Sequence, residues 1–432
     1  MLVNPFLIRG ILRIMLKCSI YNNVIQGRES RYEIYNSMTK ARIAVDDENY
    51  LQKVVDANND DDSIQLLVQN GFLVEDKIDE INALSYAFNK RYFNSSSLGL
   101  ILLPTMHCNF ECPYCFEKPF AHYIKNETKD YFKIVAKYLE NTVDNFRNVE
   151  LNFFGGEPLL KKKEMEEFTK YVETLSNKMG FSVHSTIITN GSLIDEDVME
   201  SLLRVNCNLI QITIDGSRFQ HDTTRVFKTG KPSFDILIDK IKFVAGYVAC
   251  NQNLKLLIRF NLNNTSLSDV EETLSLFEPR IRKNISLMFR PVFETAKYHV
   301  KNSNYRNELD PFNRLGHNMG FAIYKNMRTY LACESCGDTN VIHVLPDLSL
   351  WKCINDLSCN EAKMGFLSED GKAVWDVSNV LKWYHYSDFL KDEKCKGCSI
   401  SPDCLGGCLL YYIKTGNHRC SSIEERSSQF RY

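Results

Sequence analysis

Three cysteines, Cys108, Cys112 and Cys115, lie within eight residues of one another and place three thiols on one short segment. A closed structural zinc site takes four ligands. Three thiolates instead suit a four-iron cluster with one iron left open for an outside ligand. A zinc site completed by His107 is the alternative that the residues alone leave open.

The pattern Cys-x3-Cys-x-aromatic-Cys, in which Tyr114 is the aromatic residue, resembles the signature of the radical S-adenosylmethionine (SAM) enzymes. In that family, the amino and carboxylate groups of the cofactor chelate the open iron. The resemblance therefore implies that Cys108, Cys112 and Cys115 hold a 4Fe–4S cluster. It also implies that S-adenosyl-L-methionine binds there, with Tyr114 among the cofactor-binding residues.

A second motif, Gly155-Gly156-Glu157-Pro158, follows the next predicted strand. Taken alone, a Gly-Gly pair indicates only a permissive turn. In this place it resembles the Gly-Gly-Glu-Pro motif of the same family, whose backbone and glutamate hold the ammonium group of the cofactor. The resemblance also assigns Asn190, at the end of the third strand, to the cofactor site.

Two further residues come near the end of the fourth predicted strand. By resemblance, Thr213 would contact the ribose, and Arg225 would pair with the cofactor carboxylate, because a guanidinium binds a carboxylate in bidentate fashion. From the residues alone, two alternatives stay open: Thr213 as an ordinary strand residue and Arg225 as part of a surface ion pair. Arg259 and Asn261, on the fifth strand, are expected to line the same cavity.

Nine more cysteines crowd the last hundred residues of the chain. They are Cys333, Cys336, Cys353, Cys359, Cys395, Cys398, Cys404, Cys408 and Cys420. The spacing C-x2-C-x5-C-x3-C-x11-C that begins at Cys395 resembles the SPASM extension of peptide-modifying radical SAM enzymes, which carries two auxiliary 4Fe–4S clusters. Clustered thiols in a chain without an export signal indicate metal binding in a reducing compartment, hence the cytoplasm.

The SPASM resemblance implies a ligand set for each auxiliary cluster. The outer cluster would take Cys395, Cys398, Cys404 and Cys420, and the inner cluster Cys336, Cys353 and Cys408. The fourth inner ligand is left open between Cys333, Cys359 and an open iron, and Cys333 is preferred because it lies nearest Cys336. The family pattern has glycine five residues before Cys353, where this chain has Leu348, so a differently built turn is expected there.

The elements that must position these residues alternate between strand and helix. Six short β-branched or aromatic runs indicate strands, namely LGLILLP, VELNFF, HSTIITN, LIQITID, KLLIRFNL and ISLMFRPV, with helical periodicity between them. Right-handed crossovers then give a parallel sheet, and six units predict a partial (β/α)6 TIM-like barrel. The motifs follow the strands, at the carboxyl ends where such barrels place functional residues.

The chain is expected to divide into three domains. Residues 96–328 would form the barrel and residues 329–432 the cysteine-rich SPASM domain, whose folding energy comes largely from metal ligation. Residues 1–95 read as a β-hairpin with short helices, a small α+β domain that resembles the winged-helix leader-recognition domain of peptide maturases. We expect the first residues to form a short amphipathic helix, or to precede a true start at Met15, rather than to be a secretory signal.

Composition excludes several classes of function. The chain has 432 residues, of which 44% are hydrophobic and 25% charged, as in soluble globular proteins. A net charge of −2 gives no polyelectrolyte signal, so neither nucleic acid nor an anionic membrane is expected as a partner. The apolar runs are far shorter than the roughly 20 residues of a spanning helix.

The combined hypothesis is a radical SAM enzyme whose 5′-deoxyadenosyl radical modifies a ribosomally made peptide, with a thioether cross-link as the first choice. Its partners would be a precursor peptide with a leader and an external electron donor such as flavodoxin or ferredoxin. The enzymatic alternative is an anaerobic sulfatase-maturing enzyme that forms formylglycine. The alternative from another class is a non-catalytic iron–sulfur electron carrier or a zinc-ribbon binding module. No catalytic base can be assigned beyond the clusters.

Overall fold

The structure is a computed structural model. It describes residues 15–26, 31–57, 62–93, 96–118, 121–124, 126–292, 309–324, 339–384 and 389–418. Within these ranges, no helix is both long enough and apolar enough to cross a membrane.

Residues 15–93 form a small α+β unit. Its elements are β1 (Leu16–Cys18), β2 (Asn22–Gln26), β3 (Tyr32–Asn36), β4 (Arg42–Val45), α1 (Tyr50–Ala57), α2 (Asp62–Gln69), β5 (Leu73–Glu75) and α3 (Glu80–Tyr92). Strands β2, β3 and β4 make an antiparallel sheet with β3 in the middle, and β1 pairs with β5. Ile34, Leu67 and Phe72 belong to a core that is separate from that of the barrel.

Six parallel strands form the centre of the molecule. They are β6 (Ser97–Leu102), β7 (Asn148–Phe153), β8 (Ser182–Thr189), β9 (Cys207–Ile214), β10 (Lys255–Leu262) and β11 (Ile285–Pro291). Strands that follow one another in the chain are also neighbours in the sheet, from β6 to β11. This order confirms the predicted partial barrel, and every strand lies within two residues of its predicted run.

Helices cover the outer face of the barrel strands. They are α4 (Tyr131–Thr142), α5 (Lys162–Met179), α6 (Glu196–Arg204), α7 (Arg218–Thr224), α8 (Phe234–Cys250), α9 (Leu267–Ser275), α10 (Pro279–Arg282) and α11 (Leu309–Asn318). Alternate residues of each strand, such as Leu98, Leu100 and Leu102 of β6, pack under these helices in one core. Because strand side chains alternate between faces, the intervening residues point into the barrel.

The remaining described elements are five strands, which extend the barrel sheet, and four helices. They are β12 (Ala322–Ile323), β13 (Val341–Val344), β14 (Ser349–Trp351), β15 (Lys363–Leu367), β16 (Ala373–Trp375), α12 (Val377–Tyr384), α13 (Glu393–Lys396), α14 (Ser401–Cys404) and α15 (Leu409–Thr415). Strand β13 pairs in parallel with β6, and β14 to β16 continue as an antiparallel meander, while β12 pairs with β11 at the opposite edge. The sequence did not predict that a strand of the cysteine-rich segment would continue the barrel sheet.

The sequence predicted a differently built turn at Leu348, where the family pattern has glycine, but the turn has the backbone conformation that glycine favours. Leu348 itself has φ 65°, in the left-handed region that favours glycine. The side chain is only 7% exposed and belongs to the main core. The turn therefore keeps a left-handed residue at this position, and we infer that packing of the leucine offsets its backbone strain.

Candidate active site

The three clustered cysteines lie on the loop that follows β6. Each thiol is half-buried and in no disulfide, and the Cys115 amide donates to the Cys112 carbonyl at 3.3 Å. The Phe110 amide donates to Cys108 Sγ at 3.4 Å. Burial raises the pKa of the Cys112 thiol to about 12, with smaller contributions that include the other two cysteines. The thiols are therefore close neighbours that need a bound cation to become thiolates near neutral pH.

The Gly-Gly-Glu-Pro segment packs directly against this cysteine loop. Gly155 has φ 109°, and a Cβ on Gly156 would lie 2.3 Å from the His107 carbonyl oxygen. The Gly156 amide donates to the Thr105 carbonyl at 3.1 Å, and the Glu157 amide donates to His107 at 2.8 Å. A side chain at Gly156 would force the two loops apart, so glycine is required where the backbones meet.

The Glu157 carboxylate is fully buried and joins three parts of the site. It accepts from the Leu159 amide at 3.0 Å, the Thr189 hydroxyl at 2.7 Å and the Asn190 amide at 2.7 Å. The Asn190 side chain in turn donates to Cys108 Sγ at 3.7 Å. Desolvation raises the pKa of Glu157, and these hydrogen bonds oppose the rise. With about four acceptor positions on a carboxylate, one is left for a further donor.

A buried polar network lies on the other side of the loop, inside the barrel. The Tyr114 hydroxyl donates to Asp215, which also accepts from the Thr224 hydroxyl at 2.8 Å. Arg225 Nη1 and Asn261 Nδ2 each donate to the Tyr114 hydroxyl oxygen at 3.3 Å. Burial raises the pKa of Asp215, while the Arg225 guanidinium lowers it. The network thus connects the ends of β9 and β10 to the cysteine loop.

Several buried polar atoms in this region have no hydrogen-bond partner within the described residues. They are Oε1 of Glu117, Oδ1 of Asp215 and Nε of Arg225. Desolvation, with a smaller contribution from Glu157, raises the pKa of Glu117 to about 8. Buried polar groups are normally satisfied. Free acceptors and a free guanidinium donor beside three thiols therefore fit a cofactor that carries both ammonium and carboxylate groups, as S-adenosylmethionine does.

The structure brings together most of the residues predicted for this site. Tyr114, Gly155, Gly156, Glu157, Asn190, Thr213 and Arg225 all lie at or near the carboxyl ends of β6 to β9. Thr213 is buried on β9, level with Arg259 of β10. Asp215 and Glu117 were not assigned from the sequence. Asp215 directly follows a strand beside a glycine, a signal that could have found it, whereas Glu117 has no signal beyond its distance from Cys115.

The C-terminal cysteines fall on short helices and turns. Cys353 and Cys359 follow β14, and Cys395, Cys398, Cys404 and Cys408 lie between α13 and the start of α15. Ligand atoms of Asp392, Cys395 and His418 lie within 4.8 Å of one another. Cys359 Sγ donates to Glu361 at 3.4 Å. Cys333, Cys336 and Cys420 lie outside the described residues, so the two auxiliary ligand sets stay predictions.

Comparison with known proteins agrees with this geometry. Residues 102–276 match the model of the radical SAM superfamily. The cysteine-type anaerobic sulfatase-maturating enzyme of Clostridium novyi (strain NT) is 25% identical over 338 residues, which cover 72% of this chain and 88% of that protein. The radical SAM cyclopropyl synthase TigE of Paramaledivibacter caminithermalis is 21% identical over 431 residues, which cover 90% of this chain and 85% of that protein.

A solved structure covers nearly the whole chain. Streptococcus suis SuiB bound to S-adenosylmethionine superposes with a TM-score of 0.54 at 17% identity, covering 94% of this chain and 99% of that one. For SuiB bound to its precursor peptide SuiA, the TM-score is 0.50 at 16% identity, covering 93% and 98%. At these identities, the likeness establishes a shared fold.

Proposed function

This chain is a radical SAM enzyme, and from that premise we propose that it modifies a ribosomally made precursor peptide that carries a leader. An enzyme of this superfamily is neither a zinc ribbon nor a simple electron carrier. The proposed modification is a thioether between a cysteine sulfur and a backbone or side-chain carbon of the peptide. The observation that carries the peptide assignment is the α+β unit of residues 15–93, which hydrogen-bonds to Ser399 and Asp403 of the cysteine-rich segment and presents a sheet edge.

The proposal assigns the cofactors to the residues described above. Cys108, Cys112 and Cys115 hold a 4Fe–4S cluster, and the C-terminal cysteines hold two auxiliary 4Fe–4S clusters. When bound, S-adenosylmethionine and its cluster supply the 5′-deoxyadenosyl radical that abstracts a hydrogen atom from the peptide.

The chain's own residues orient the cofactor and keep water out. The glycine loop allows a close backbone approach, and Glu157 fixes the position of Asn190 beside Cys108. Arg225 has a buried Nε atom with no partner in the described part of the chain, which suits a cofactor carboxylate. The Tyr114 side chain is only 8% exposed and so helps to keep water from this side of the site.

The docked N-terminal unit suits a leader peptide. Strand β4 lies at one edge of the described three-stranded sheet. An edge strand can pair with an extended peptide through main-chain hydrogen bonds. Holding the leader there would raise the effective concentration of the core peptide at the barrel mouth.

The proposed reaction removes two electrons from the peptide. One C–H bond and one S–H bond are lost, and one C–S bond forms. One electron leaves within the abstracted hydrogen atom, the thiol proton passes to solvent, and a one-electron carrier of the flavodoxin or ferredoxin class takes the second electron. Such carriers and free thiols belong to a reducing compartment, so we place the enzyme in the cytoplasm.

Mass spectrometry of a peptide substrate tests the proposal. The cluster-loaded enzyme, SAM, a reductant and a cysteine-bearing peptide encoded beside the gene should give a product that has lost two hydrogen atoms and kept its sulfur. Alkylation should no longer label the cysteine. An unchanged peptide, with SAM still cleaved, would remove the thioether assignment.

Formylglycine formation is the second candidate. It is favoured by the relative from Clostridium novyi, of which 88% is covered. The same assay separates the two reactions, because formylglycine formation replaces the cysteine sulfur with oxygen. A sulfatase-derived peptide is the corresponding substrate.

A further inference from the structure

An arginine on β10 faces the interior of the barrel. Ile258 and Phe260 belong to the core under the outer helices. Since strand side chains alternate, Arg259 and Asn261 point to the opposite face, into the barrel. Arg259 Nε donates to Asn261 Oδ1 at 2.9 Å.

A second arginine comes from the neighbouring strand. On β11, Leu287 and Phe289 pack in the same core, so Arg290 faces inward with Arg259. The two strands are parallel, and Arg290 lies directly beside Asn261 in the register. Burial, followed by the charge of Arg290, lowers the pKa of Arg259 to about 10. Two guanidinium groups therefore lie close together at the carboxyl ends of adjacent strands.

Neither guanidinium forms an ion pair within the described residues. Arg290 Nη1 donates only to the Phe289 carbonyl oxygen at 3.1 Å, and no carboxylate lies within 4.0 Å of either group. Arg225 differs, because it donates to the Tyr114 hydroxyl, whereas Tyr114 and Asp215 act on Arg259 only as smaller electrostatic contributions. Two adjacent, half-buried cations that form no ion pair with a described residue repel each other, and an anion bound between them would relieve that repulsion.

The cofactor cannot supply that anion in addition to its own contacts. S-adenosylmethionine carries one carboxylate, for which Arg225 is available, and its ammonium and sulfonium groups are cationic. We propose that Arg259 and Arg290 form a carboxylate-binding subsite for an acidic residue of the substrate peptide. This inference rests on the proposed function for its peptide ligand. It assigns a specificity-determining role to two residues on the far side of the barrel from the Gly-Gly-Glu-Pro loop.

Binding of a small carboxylate tests the subsite directly. The probe is N-acetyl-aspartate N-methylamide, and its asparagine counterpart is the uncharged control, each added to the SAM-loaded, cluster-loaded enzyme. The aspartate compound should raise the thermal midpoint and the asparagine compound should not. Arg259→Gln and Arg290→Gln should each abolish the shift, Arg259→Lys should keep part of it, and the surface variant Arg280→Gln should behave as wild type.

Two results of that experiment would overturn the inference. One is an equal response to the aspartate and asparagine compounds. The other is an increase of about tenfold or more in the SAM dissociation constant of Arg259→Gln and Arg290→Gln, because the arginines would then bind the cofactor.

A substrate series provides the second test. Each acidic residue of the neighbouring precursor peptide is changed to its amide, and at one position the KM of the wild-type enzyme should rise by at least about tenfold. With Arg259→Gln, the same change should have no further effect on KM. Equal processing of every amide peptide would overturn the subsite. A wild-type enzyme that modifies no peptide would instead overturn the proposed function, and the small probe would still decide the subsite.

Discussion

At the residue scale, the site depends on buried charges whose partners lie in other segments of the chain. Glu157 accepts from the Leu159 amide and from the end of β8, and through Asn190 it reaches Cys108. The sequence identified Glu157 through a motif. It could not reveal that three of its acceptor positions are used within the protein, because those partners are fixed only by the fold.

We expect Glu157→Gln to impair both stability and cofactor binding. One amide nitrogen would face backbone N–H donors, and an unsatisfied buried donor costs about 1–3 kcal/mol. Urea unfolding should show that loss in the free energy of unfolding, and equilibrium dialysis should show SAM binding weakened by about tenfold or more. Glu166→Gln, an exposed carboxylate paired with Lys170, is the matched control. Wild-type values for Glu157→Gln would contradict the assignment.

His343 makes the stability of the molecule depend on pH. Its ring is buried on β13, and Nδ1 lies 3.2 Å from the Trp351 carbonyl oxygen. Desolvation lowers the pKa of His343 to about 4. The unfolded chain binds a proton below about pH 6.5, whereas the folded chain does so only near pH 4, so stability falls as the pH drops through this window.

The expected loss for His343 is about 2 kcal/mol between pH 7 and pH 5. The urea midpoint of the wild type should fall over this range, and that of His343→Gln should fall less. Measuring the difference between the two proteins removes the effect of acid on the clusters, which both share. Parallel pH dependence in both proteins would refute the role of His343.

At the element scale, the strands were predictable because each barrel strand is a short apolar run between polar segments. The sequence predicted short helices in the N-terminal region but did not place α3, because its buried residues, Leu84, Phe88 and Tyr92, form a narrow stripe in an otherwise polar segment. The pairing of β13 with β6 joins residues about 240 positions apart, such as Leu100 and Ile342. No local pattern encodes such a contact, and the clustering of Arg259 with Arg290 escaped prediction for the same reason.

The turn before β14 allows a prediction of whether glycine at position 348 would raise or lower the free energy of unfolding. Relieving the left-handed strain at Leu348 would gain about 1–2 kcal/mol. Removing a buried leucine side chain costs about 2–5 kcal/mol. We therefore expect Leu348→Gly to lower the free energy of unfolding in urea, even though glycine suits the backbone. Leu405, which follows the short helix α14, also has a left-handed backbone, and Leu405→Gly is the comparison variant. A stabilised Leu348→Gly protein would show that strain outweighs packing there.

At the scale of the whole molecule, the unit of residues 15–93 packs against the cysteine-rich segment, at residues 389–403. Tyr35 and Lys40 both donate to the buried Asp403 carboxylate, and the Ser37 hydroxyl donates to the Ser399 carbonyl at 2.5 Å. An apolar cluster completes the contact, formed by Tyr21, Leu84, Phe88, Tyr92, Phe389 and Cys395. Deleting the N-terminal unit would expose this cluster, so point variants are better tests of its role than truncation.

We expect the double variant Tyr35→Phe/Lys40→Gln to loosen the N-terminal unit. Asp403 would stay buried without these two donors, and leaving a buried charge unpaired typically costs about 3–5 kcal/mol. Limited proteolysis should release the unit faster, and the KM for a leader-bearing peptide should rise while iron content and uncoupled SAM cleavage stay unchanged. Lys53→Gln, which removes an exposed ion pair with Asp47, is the control. Unchanged proteolysis would show that these contacts do not fix the unit.

The most direct test of the central claim is SAM cleavage by the variant Cys108→Ala/Cys112→Ala/Cys115→Ala. Reconstituted wild-type protein should hold about twelve irons, and under reducing conditions it should convert SAM to 5′-deoxyadenosine. The triple variant should keep about eight irons and form no 5′-deoxyadenosine. Cys250→Ala, an exposed cysteine outside the predicted clusters, should match wild type. Continued SAM cleavage by the triple variant would contradict the account.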